Sequence, residues 1–309
     1  MCFSSSNLRL VTYNVHRFEV NGTSTVHKIK SQLASLRPLP DLIALNEVNV
    51  VDKPGVLDVI AKELNMSYEF FGHVGNGRYG NALLTSLPIK SKREVHLRGG
   101  TEVSFTPGTK KLNGRIAQAG ETHRISRGLL IVDMANGERN LRCGVTHLDH
   151  ISMKERKIQL EHVVEELIPT DTETESNTDI ILMGDLNALT RSDYCENDWK
   201  RIIVKAERNG WEVPGTDEDL DILKRNDFFD AMAASNYPPT KPWHTASTSN
   251  PMYRIDYCFI RSNFMEVDQS KILQQAKDFS DHFPVLFDIE QSSSEHQMSC
   301  RGVSSASNL

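Results

Sequence analysis

Polar residues that could bind a metal ion or a phosphate stand at six separate places along the chain, each next to an apolar run. The six motifs are TYN at 12–14, LNEV at 45–48, THL at 146–148, GDLN at 184–187, RIDY at 254–257 and SDH at 280–282. Carboxylate and amide oxygens bind hard divalent cations, and imidazoles donate hydrogen bonds to phosphate oxygens. The set therefore predicts a site for a divalent cation and a phosphate ester.

Asn14 and Glu47 each follow an apolar run, so each is predicted to lie where a buried strand meets solvent. Their amide and carboxylate oxygens suit Mg²⁺, with Mn²⁺ as the alternative, because both ions prefer hard oxygen ligands. Taken singly, each residue also fits a plain structural role, as a turn asparagine or a surface glutamate. Their place in the ordered set favours a metal site.

The GDLN motif follows the apolar run DIILM and can hold a carboxylate, Asp185, and an amide, Asn187, over the same spot. Gly184 permits close approach of the backbone at this turn. A plain β-turn is the alternative, because Gly, Asp and Asn all favour turns. This motif is the most specific of the six.

Two histidines, His147 and His282, belong to the set. Imidazole can donate a hydrogen bond, or a full charge when it is protonated, to the oxygens of a five-coordinate phosphorus. Asp256 or Asp281 could fix the tautomer of a histidine and raise its pKa. The chain has 11 histidines, so a structural role is the alternative for any single one.

The order of these motifs resembles the endonuclease/exonuclease/phosphatase superfamily, which includes DNase I and exonuclease III-type nucleases. The resemblance extends over residues 8–289. It implies a four-layer α/β sandwich, in which two packed mixed β-sheets are flanked by helices, whereas the pattern of elements alone gives an α/β or α+β class. Members usually have Gln before the motif glutamate. Asn46 stands there in this chain, so we expect changed contacts around the site more than a changed metal site.

The resemblance implies a catalytic role for five residues. Asp185 would orient or deprotonate the attacking water, and Asn187 would hold a phosphate oxygen. His147 and His282 would stabilise the charge that builds on the phosphate, with Asp256 paired to His282.

The same resemblance implies metal-binding and substrate-binding residues. Glu47 and Asn14 would hold the metal, and Asp281 would complete the site or its surroundings. Arg127 and Asn81 occupy places where members often carry an Arg and an Asn, and both are predicted to bind substrate. A guanidinium matches phosphate geometry, and a salt bridge is an equal alternative for Arg127.

Residues 90–127 carry nine basic and three acidic residues, a local charge of +6 in a chain whose formal net charge is -6. Such a stretch could bind a polyanion, and an ordinary solvated loop is an equal alternative. The loop aromatics Phe105, Tyr237 and Trp243 could stack on a base. Packing against loop backbone is the favoured interpretation for these three.

Periodicity predicts elements that place the motifs at strand ends. Strands are predicted at 8–15, 41–46, 81–85, 128–134, 141–147, 179–183, 254–260 and 284–289. Helices are predicted at 25–36, 57–64, 152–167 and through most of 192–235. Ser152 and Glu155 predict a capping box, and Asn136 with Gly137 predicts a hairpin turn.

The totals bound the class of protein. The motifs span most of the 309 residues, which favours one domain over 1–290 followed by a disordered, Ser-rich tail over 291–309. The five cysteines include no CxxC pair, which argues against a disulfide framework or a zinc site. No apolar run suits a spanning helix or a signal peptide. We therefore expect a monomer, cytoplasmic or nuclear, with reduced thiols.

These features predict a Mg²⁺-dependent phosphoesterase that hydrolyses a phosphodiester by in-line attack of water. Nucleic acid is the leading substrate. Glu155, Arg156 and Gln159 are similar to an ERxxQ-like helix of tyrosyl-DNA phosphodiesterases, which makes end-processing an option. A phosphomonoesterase acting on a nucleotide, sugar phosphate or lipid head group is the alternative among enzymes. A non-catalytic binding module on the same fold is the alternative from another class, and the complete motif set speaks against it.

Overall fold

Two six-stranded β-sheets form the centre of the protein. They are described from a computed structural model, which describes residues 7–75, 77–105, 116, 118, 120–171, 174–175, 177–215 and 219–292. The strands are β1 Asn7–Asn14, β2 Glu19–Val20, β3 Thr23–Ser24, β4 Leu42–Asn49, β5 Ser67–Val74, β6 Tyr79–Thr85, β7 Ile89–His96, β8 Glu102–Ser104, β9 Thr122–Arg124, β10 Gly128–Asn136, β11 Arg139–His147, β12 Thr178–Asp185, β13 Phe229–Asp230, β14 Asp256–Arg261, β15 Met265–Ile272 and β16 Val285–Gln291. The helices are α1 Val26–Ser35, α2 Val56–Leu64, α3 Met153–Leu167, α4 Glu196–Asn209 and α5 Asp221–Arg225.

Each large sheet contains one parallel pair among antiparallel neighbours. The first sheet has the order β15-β16-β1-β4-β6-β5, with β1 and β4 parallel. The second has the order β13-β14-β12-β11-β10-β7, with β11 and β12 parallel. The carboxyl ends of two parallel strands meet at the same edge of a sheet. Both sheets therefore present adjacent strand ends, and these ends carry the motifs.

Alternation along the strands creates three apolar layers. Leu10 faces the layer between the sheets, while its neighbour Val11 faces the outer layer beneath α1 and α2. In the second sheet, Ile181 faces the layer between the sheets and Leu182 faces the outer layer beneath α3. Strands buried on both faces appear in sequence as nearly continuous apolar runs. The arrangement confirms the four-layer α/β sandwich implied by the resemblance.

The predicted capping box at α3 is half formed. Ser152 Oγ accepts a hydrogen bond from the Glu155 main-chain N–H at 3.3 Å, as an N-cap should. The Glu155 carboxylate instead accepts from the Gly100 N–H at 2.7 Å, and the Ser152 N–H donates to Asp149. The hairpin predicted at Asn136–Gly137 is confirmed by the antiparallel pairing of β10 with β11.

Two parts of the predicted element pattern were wrong. Residues 192–235 contain α4 and the short α5 but also β13, so helix covers less of this stretch than predicted. Strand β15 was not predicted, because only alternate residues such as Met265 and Val267 are buried at this sheet edge. Residues 293–309, assigned by the prediction to a disordered tail, lie outside the described residues. Among the described residues, no helix is both long and apolar enough to cross a membrane.

Candidate active site

Three motif residues lie side by side at one edge of the second sheet. His147 ends β11, Asp185 ends β12 and Asp256 begins β14. The strand register pairs His147 with Asp185, and Asp185 with Asp256. The parallel pair β11 and β12 ends at the edge where the antiparallel strand β14 begins. Strand order therefore brings together residues that are distant in sequence.

The first sheet supplies the other motif residues. Asn14 ends β1 and is paired with Asn46 of the parallel strand β4. Glu47 follows with φ +59°, where the register between β4 and β6 shifts. Such a bulge changes the direction of a side chain relative to its strand. Asp281 and His282 lie just before β16, the antiparallel neighbour of β1.

The amide of Asn14 joins carboxylates from both sheets. Its Nδ2 donates to Glu47 Oε1 at 3.1 Å and to Asp185 Oδ2 at 3.0 Å. Its Oδ1 accepts from the His16 main-chain N–H at 3.1 Å. The predicted metal residue Glu47 and the predicted catalytic residue Asp185 therefore lie within reach of one nitrogen atom. The Asn14 oxygen, which the prediction assigned to a metal, is engaged by the backbone in this arrangement.

Both motif histidines approach Asp185, but their charge environments differ. Nε2 of His147 lies 3.5 Å from Asp185 Oδ2, and Nε2 of His282 lies 3.7 Å from the same oxygen. His282 Nδ1 lies 2.8 Å from Asp256 Oδ2. Burial by itself lowers the pKa of His282, but the carboxylates of Asp256 and Asp185 outweigh it and raise the value to about 10. Burial, followed by the nearby Arg127 cation, lowers the pKa of His147 well below its usual range.

The GDLN turn fixes Asn187 beside Asp185. The Asn187 main-chain N–H donates to Asp185 Oδ1 at 3.1 Å, and its Nδ2 donates to the Leu148 carbonyl at 3.1 Å. Asn187 has φ +49°, a left-handed conformation that asparagine tolerates better than most residues. Burial is the main cause that raises the pKa of Asp185 above its usual range. The turn thus places a carboxyl that can accept a proton near neutral pH next to an amide.

Helix α3 supports the loop that follows His147. Gln159 Oε1 accepts from the Asp149 main-chain N–H at 2.8 Å, and Arg156 Nη1 donates to the Asp149 carbonyl at 3.1 Å. Arg156 also pairs with Asp219 at 2.9 Å, with both side chains buried. Arg156 and Gln159 of the ERxxQ-like motif therefore hold the main chain of the loop that follows His147.

Two residues at the site were missed by the sequence analysis. His16 Nδ1 lies 3.2 Å from Asp281 Oδ1 and 3.8 Å from Glu47 Oε2. His16 starts a three-residue turn with positive φ, which no sequence pattern indicates; its only signal is its position two residues after Asn14. Tyr79 lies beside Glu47, and burial followed by that carboxylate raises the pKa of its hydroxyl.

Asn46 and Asn81 connect the two sheets inside the protein. Asn46 Nδ2 donates to Asn81 Oδ1 and to the Thr146 carbonyl, both at 2.9 Å, and Asn46 Oδ1 accepts from the Asp185 N–H at 2.9 Å. Asn81 Nδ2 donates to the Gly128 carbonyl at 2.9 Å. Both asparagines are fully buried. Asn81, predicted to bind substrate, is instead placed behind the site, where protein groups occupy its amide.

Arg127 is buried near the site and keeps a free donor. Its Nη2 lies 3.3 Å from His150 Nδ1. Its Nε has no hydrogen-bond partner among the described residues. A guanidinium has no acceptor, so the proton of the neutral His150 ring must be on Nε2. An unused donor on a buried cation is consistent with the predicted contact to an anionic substrate.

The basic stretch at 90–127 is partly neutralised on the surface. Three of its cations form ion pairs with glutamates, namely Lys92–Glu69, Arg93–Glu166 and Arg98–Glu165. Lys110, Lys111 and Arg115 lie outside the described residues. Of the three loop aromatics, Trp243 packs against loop backbone as expected, with Nε1 donating to the Pro239 carbonyl at 2.7 Å. Phe105 stacks on His123, and the Tyr237 side chain is exposed. These contacts weaken the interpretation of the stretch as a polyanion site.

The donor set fits a hard divalent cation. Glu47 and Asp281 approach the same His16 nitrogen, and Glu47 and Asp185 share the Asn14 amide. The side chains of Glu47 and Asp281 are 19% and 47% exposed, so their oxygens can meet a hydrated ion. Mg²⁺ is bound through one or two carboxylates and keeps several waters.

A second group could also hold an ion. Ligand atoms of Asp185, Asp256 and His282 lie within 4.8 Å of one another, and all three residues are buried. In this group the Asp256 carboxylate already binds His282 Nδ1. The more exposed carboxylates around Glu47 therefore fit a hydrated cation better.

Comparison with known proteins agrees with the fold and with the family that the motifs resemble. The model of the Endonuclease/Exonuclease/phosphatase family matches residues 11–282, and no curated protein matches the chain. An endonuclease/exonuclease/phosphatase from Beutenbergia cavernae has 18% identity and a TM-score of 0.61, with 93% of this chain and 72% of that chain covered. A mannosyl-6-phosphatase from Bacteroides thetaiotaomicron has 16% identity and a TM-score of 0.62, covering 91% and 99%. A truncated TDP2 from Caenorhabditis elegans has 16% identity and a TM-score of 0.58, covering 93% and 98%.

Likeness at this identity shows the fold, and the family model carries the assignment. Members of the family are generally hydrolases of phosphate esters, and membership fits a metal-dependent phosphoesterase. The matched range begins within β1 and ends at His282, so it includes all six motifs. By sequence, fold and the placement of its motifs, this chain belongs to the Endonuclease/Exonuclease/phosphatase family.

Proposed function

We propose that the protein is a Mg²⁺-dependent phosphodiesterase, with nucleic acid as its leading substrate. One observation carries the proposal: the Asp185 carboxylate lies 3.5 and 3.7 Å from two imidazoles, and the Asn14 amide ties it to Glu47. A base, two donors to phosphate and a cation-binding carboxylate are the groups that hydrolysis of a phosphodiester requires.

Each group has a distinct task in the proposed reaction. Asp185 takes a proton from the attacking water, and its raised pKa brings it closer to the working pH of a general base. His282 is protonated at neutral pH and donates from Nε2 to a non-bridging oxygen, while Asp256 holds Nδ1. His147 and the Asn187 amide are the further donors to the phosphate. These donors stabilise charge that builds during the reaction.

Glu47 and Asp281 would hold the divalent cation beside the phosphate. When bound there, the cation would neutralise phosphate charge and favour ionisation of a coordinated water. Asn14 keeps Glu47 next to Asp185 through its amide nitrogen. His16 Nδ1 lies 3.2 Å from Asp281 Oδ1 and 3.8 Å from Glu47 Oε2, so it can hold both carboxylates in position.

A phosphomonoesterase is the alternative, and the structural likeness to a mannosyl-6-phosphatase favours it. Parallel assays of a single-stranded oligonucleotide and mannose 6-phosphate, each with Mg²⁺ or with EDTA, separate the two activities. The proposal predicts cleavage of the oligonucleotide that EDTA abolishes. Faster hydrolysis of the monoester would favour the alternative, while binding of the oligonucleotide without any cleavage would favour a binding module.

Substitution of the two central residues tests the mechanism. Asp185→Asn removes the base and His282→Ala removes a charged donor, so each should lower kcat/KM by at least about 10²-fold. Asp278→Asn and His27→Ala change exposed residues outside the site and serve as matched controls. An unchanged rate in folded Asp185→Asn protein would refute the assignment of the base.

A further inference from the structure

An apolar cavity opens beside Asn187. Its volume is about 110 Å³, and most of its wall is apolar, with Leu189, Ile202 and Ala206 among the lining residues. Asn187 lines the cavity and also donates its main-chain N–H to Asp185. The cavity and the predicted phosphate site therefore share Asn187, so a group attached to the phosphate could reach the cavity.

Two aromatic side chains in the wall are held in place by neighbouring elements. Trp211 follows the end of α4, and its main-chain N–H donates to the Ala206 carbonyl at 2.9 Å. The His150 ring meets Trp211 edge-on, with ring centroids 6.0 Å apart. Lys205 Nζ lies 4.7 Å from the centroid of the Tyr253 ring. A wall fixed in this way costs little conformational entropy when a ring binds.

One polar atom of a lining residue, Tyr253, lacks a partner among the described residues. The Tyr253 hydroxyl is buried and has no hydrogen-bond partner within the part of the chain that the structure describes. Burial raises the pKa of Tyr253 to about 12, so the hydroxyl keeps its proton at neutral pH. A buried polar group without a partner is costly, and a ligand that offers one removes that cost. The cavity therefore suits a flat ring with polar atoms at its edge.

The volume limits the size of that ring. An apolar cavity of about 150 Å³ in another protein is large enough for benzene. The cavity here is smaller but open to solvent, since His150 at its rim is exposed. Its volume is nearer to the space that one six-membered ring fills than to the space that a fused two-ring system needs, so we expect it to admit the single ring.

We propose that this cavity binds a pyrimidine base of the nucleotide next to the scissile phosphate, and that it selects pyrimidines over purines. Trp211 and Tyr253 line the base site, and the Tyr253 hydroxyl pairs with the polar edge of the base. This subsite rests on the proposed phosphodiesterase function and specifies its substrate class.

Dinucleoside monophosphates test the preference directly. The full-length protein with Mg²⁺ is assayed on four substrates. One carries two pyrimidine bases, one carries two purine bases, and two carry one base of each kind in the two possible orders. We expect kcat/KM to be at least about 10-fold higher with a pyrimidine than with a purine on one defined side of the phosphate. Comparison of the two mixed substrates identifies that side. Equal cleavage of all four substrates would overturn the subsite while leaving the phosphodiesterase proposal intact.

Variants locate the preference in the cavity. Tyr253→Phe keeps the ring and removes the hydroxyl, so the pyrimidine-to-purine ratio should fall about 5- to 10-fold. Ala206→Leu fills the cavity and should abolish the preference. Tyr237→Phe removes a hydroxyl from an exposed tyrosine outside the cavity, so its ratio should match the wild type. A ratio that is unchanged in folded Tyr253→Phe and Ala206→Leu proteins would refute this location.

A binding measurement keeps the inference testable if no diester is cleaved. Tryptophan fluorescence is titrated with thymidine 5′-phosphate and with deoxyadenosine 5′-phosphate, and Trp211→Phe identifies the signal of Trp211. We expect quenching by the pyrimidine nucleotide at a concentration at least about 10-fold lower. Equal quenching by both nucleotides, or a signal that persists in Trp211→Phe, would contradict the subsite independently of catalysis.

Discussion

Neighbouring charge decides the protonation of the two motif imidazoles. Both rings are buried and face the same Asp185 oxygen. The Asp256 carboxylate, 2.8 Å from Nδ1, raises the pKa of His282, whereas burial and the Arg127 cation lower the pKa of His147. At neutral pH the site therefore holds one imidazolium and one neutral imidazole. Two residues of the same type supply a charged donor and an uncharged one.

Replacing Asp256 with Asn should lower the pKa of His282, because burial would then act with less opposition from carboxylates. Because the pKa of His282 in the folded protein is above its usual value of 6.5, protonation of His282 stabilises the folded state. This contribution is complete below pH 6.5 and is lost as the pH rises through about 10. A ¹⁵N NMR titration of His282 in EDTA-treated Asp256→Asn protein tests the shift. Asp278→Asn is the control, and an identical His282 titration in wild-type and Asp256→Asn protein would contradict the pairing.

At the level of elements, the ends of β11, β12 and β14 position the proposed catalytic groups, and Gly184 permits their close approach. Gly184 has φ +143°, and a Cβ built there would lie 1.9 Å from the Thr146 carbonyl oxygen and 3.1 Å from Asn46 Oδ1. Thr146 lies in the neighbouring strand β11, and Asn46 is one of the asparagines that link the two sheets. The spacing of Asp185 from His147 and Asn46 therefore depends on a residue without a side chain.

Gly184→Ala should lower the free energy of unfolding by about 3 kcal/mol or more, because it combines a backbone clash with a strained φ. Gly137→Ala in the β10–β11 turn is a matched control. That glycine also has positive φ, at +60°, but no described atom lies within 4 Å of its added Cβ. The control should cost about 1 kcal/mol. Urea unfolding of both variants measures the difference, and equal losses would mean that the clash is relieved by backbone movement.

In the whole molecule, the site joins the two sheets of the sandwich. Asn14 of the first sheet binds Asp185 of the second, and Asn46 of the first binds the Thr146 carbonyl and the Asp185 N–H of the second. The proposed cation would be held mainly by two carboxylates of the first sheet, Glu47 within β4 and Asp281 just before β16. Glu47 shares the Asn14 amide with Asp185 of the second sheet. Binding to the folded state alone stabilises a protein according to ligand concentration over Kd. Metal binding should therefore stabilise the complete sandwich.

Mg²⁺ at about ten times its Kd should raise Tm by roughly 2 to 3 °C in a protein of this size. Glu47→Ala should remove most of this rise, because it deletes a proposed metal oxygen. Glu266→Ala, at an exposed position of β15, is the control and should keep the full rise. Differential scanning calorimetry with Mg²⁺ and with EDTA measures both. A Tm rise that survives Glu47→Ala would place the cation elsewhere.

The sequence determined the α/β class and the strand ends at which the polar motifs stand, and the resemblance to the family implied the four-layer sandwich. Apolar runs buried on both faces, the helix capped by Ser152 and the turn at Gly137 are local signals, because each depends on residues close together in the chain. The resemblance of the ordered motifs then implied the pairing of Asp256 with His282. The structure has these two side chains 2.8 Å apart.

Only the tertiary structure decided which polar atoms face the site and which support it. It placed Asn81 behind the site, turned the Asn14 nitrogen toward the carboxylates and added His16 and Tyr79 to the surroundings. The cavity beside Asn187 likewise has walls from separate parts of the chain. The Asn14–Asp185 contact spans 171 residues, and its direction depends on a bulge, a left-handed turn and the packing of two sheets. Such contacts leave no local pattern, because residue types set which bonds a side chain can make and only the packed neighbours set which bonds it does make.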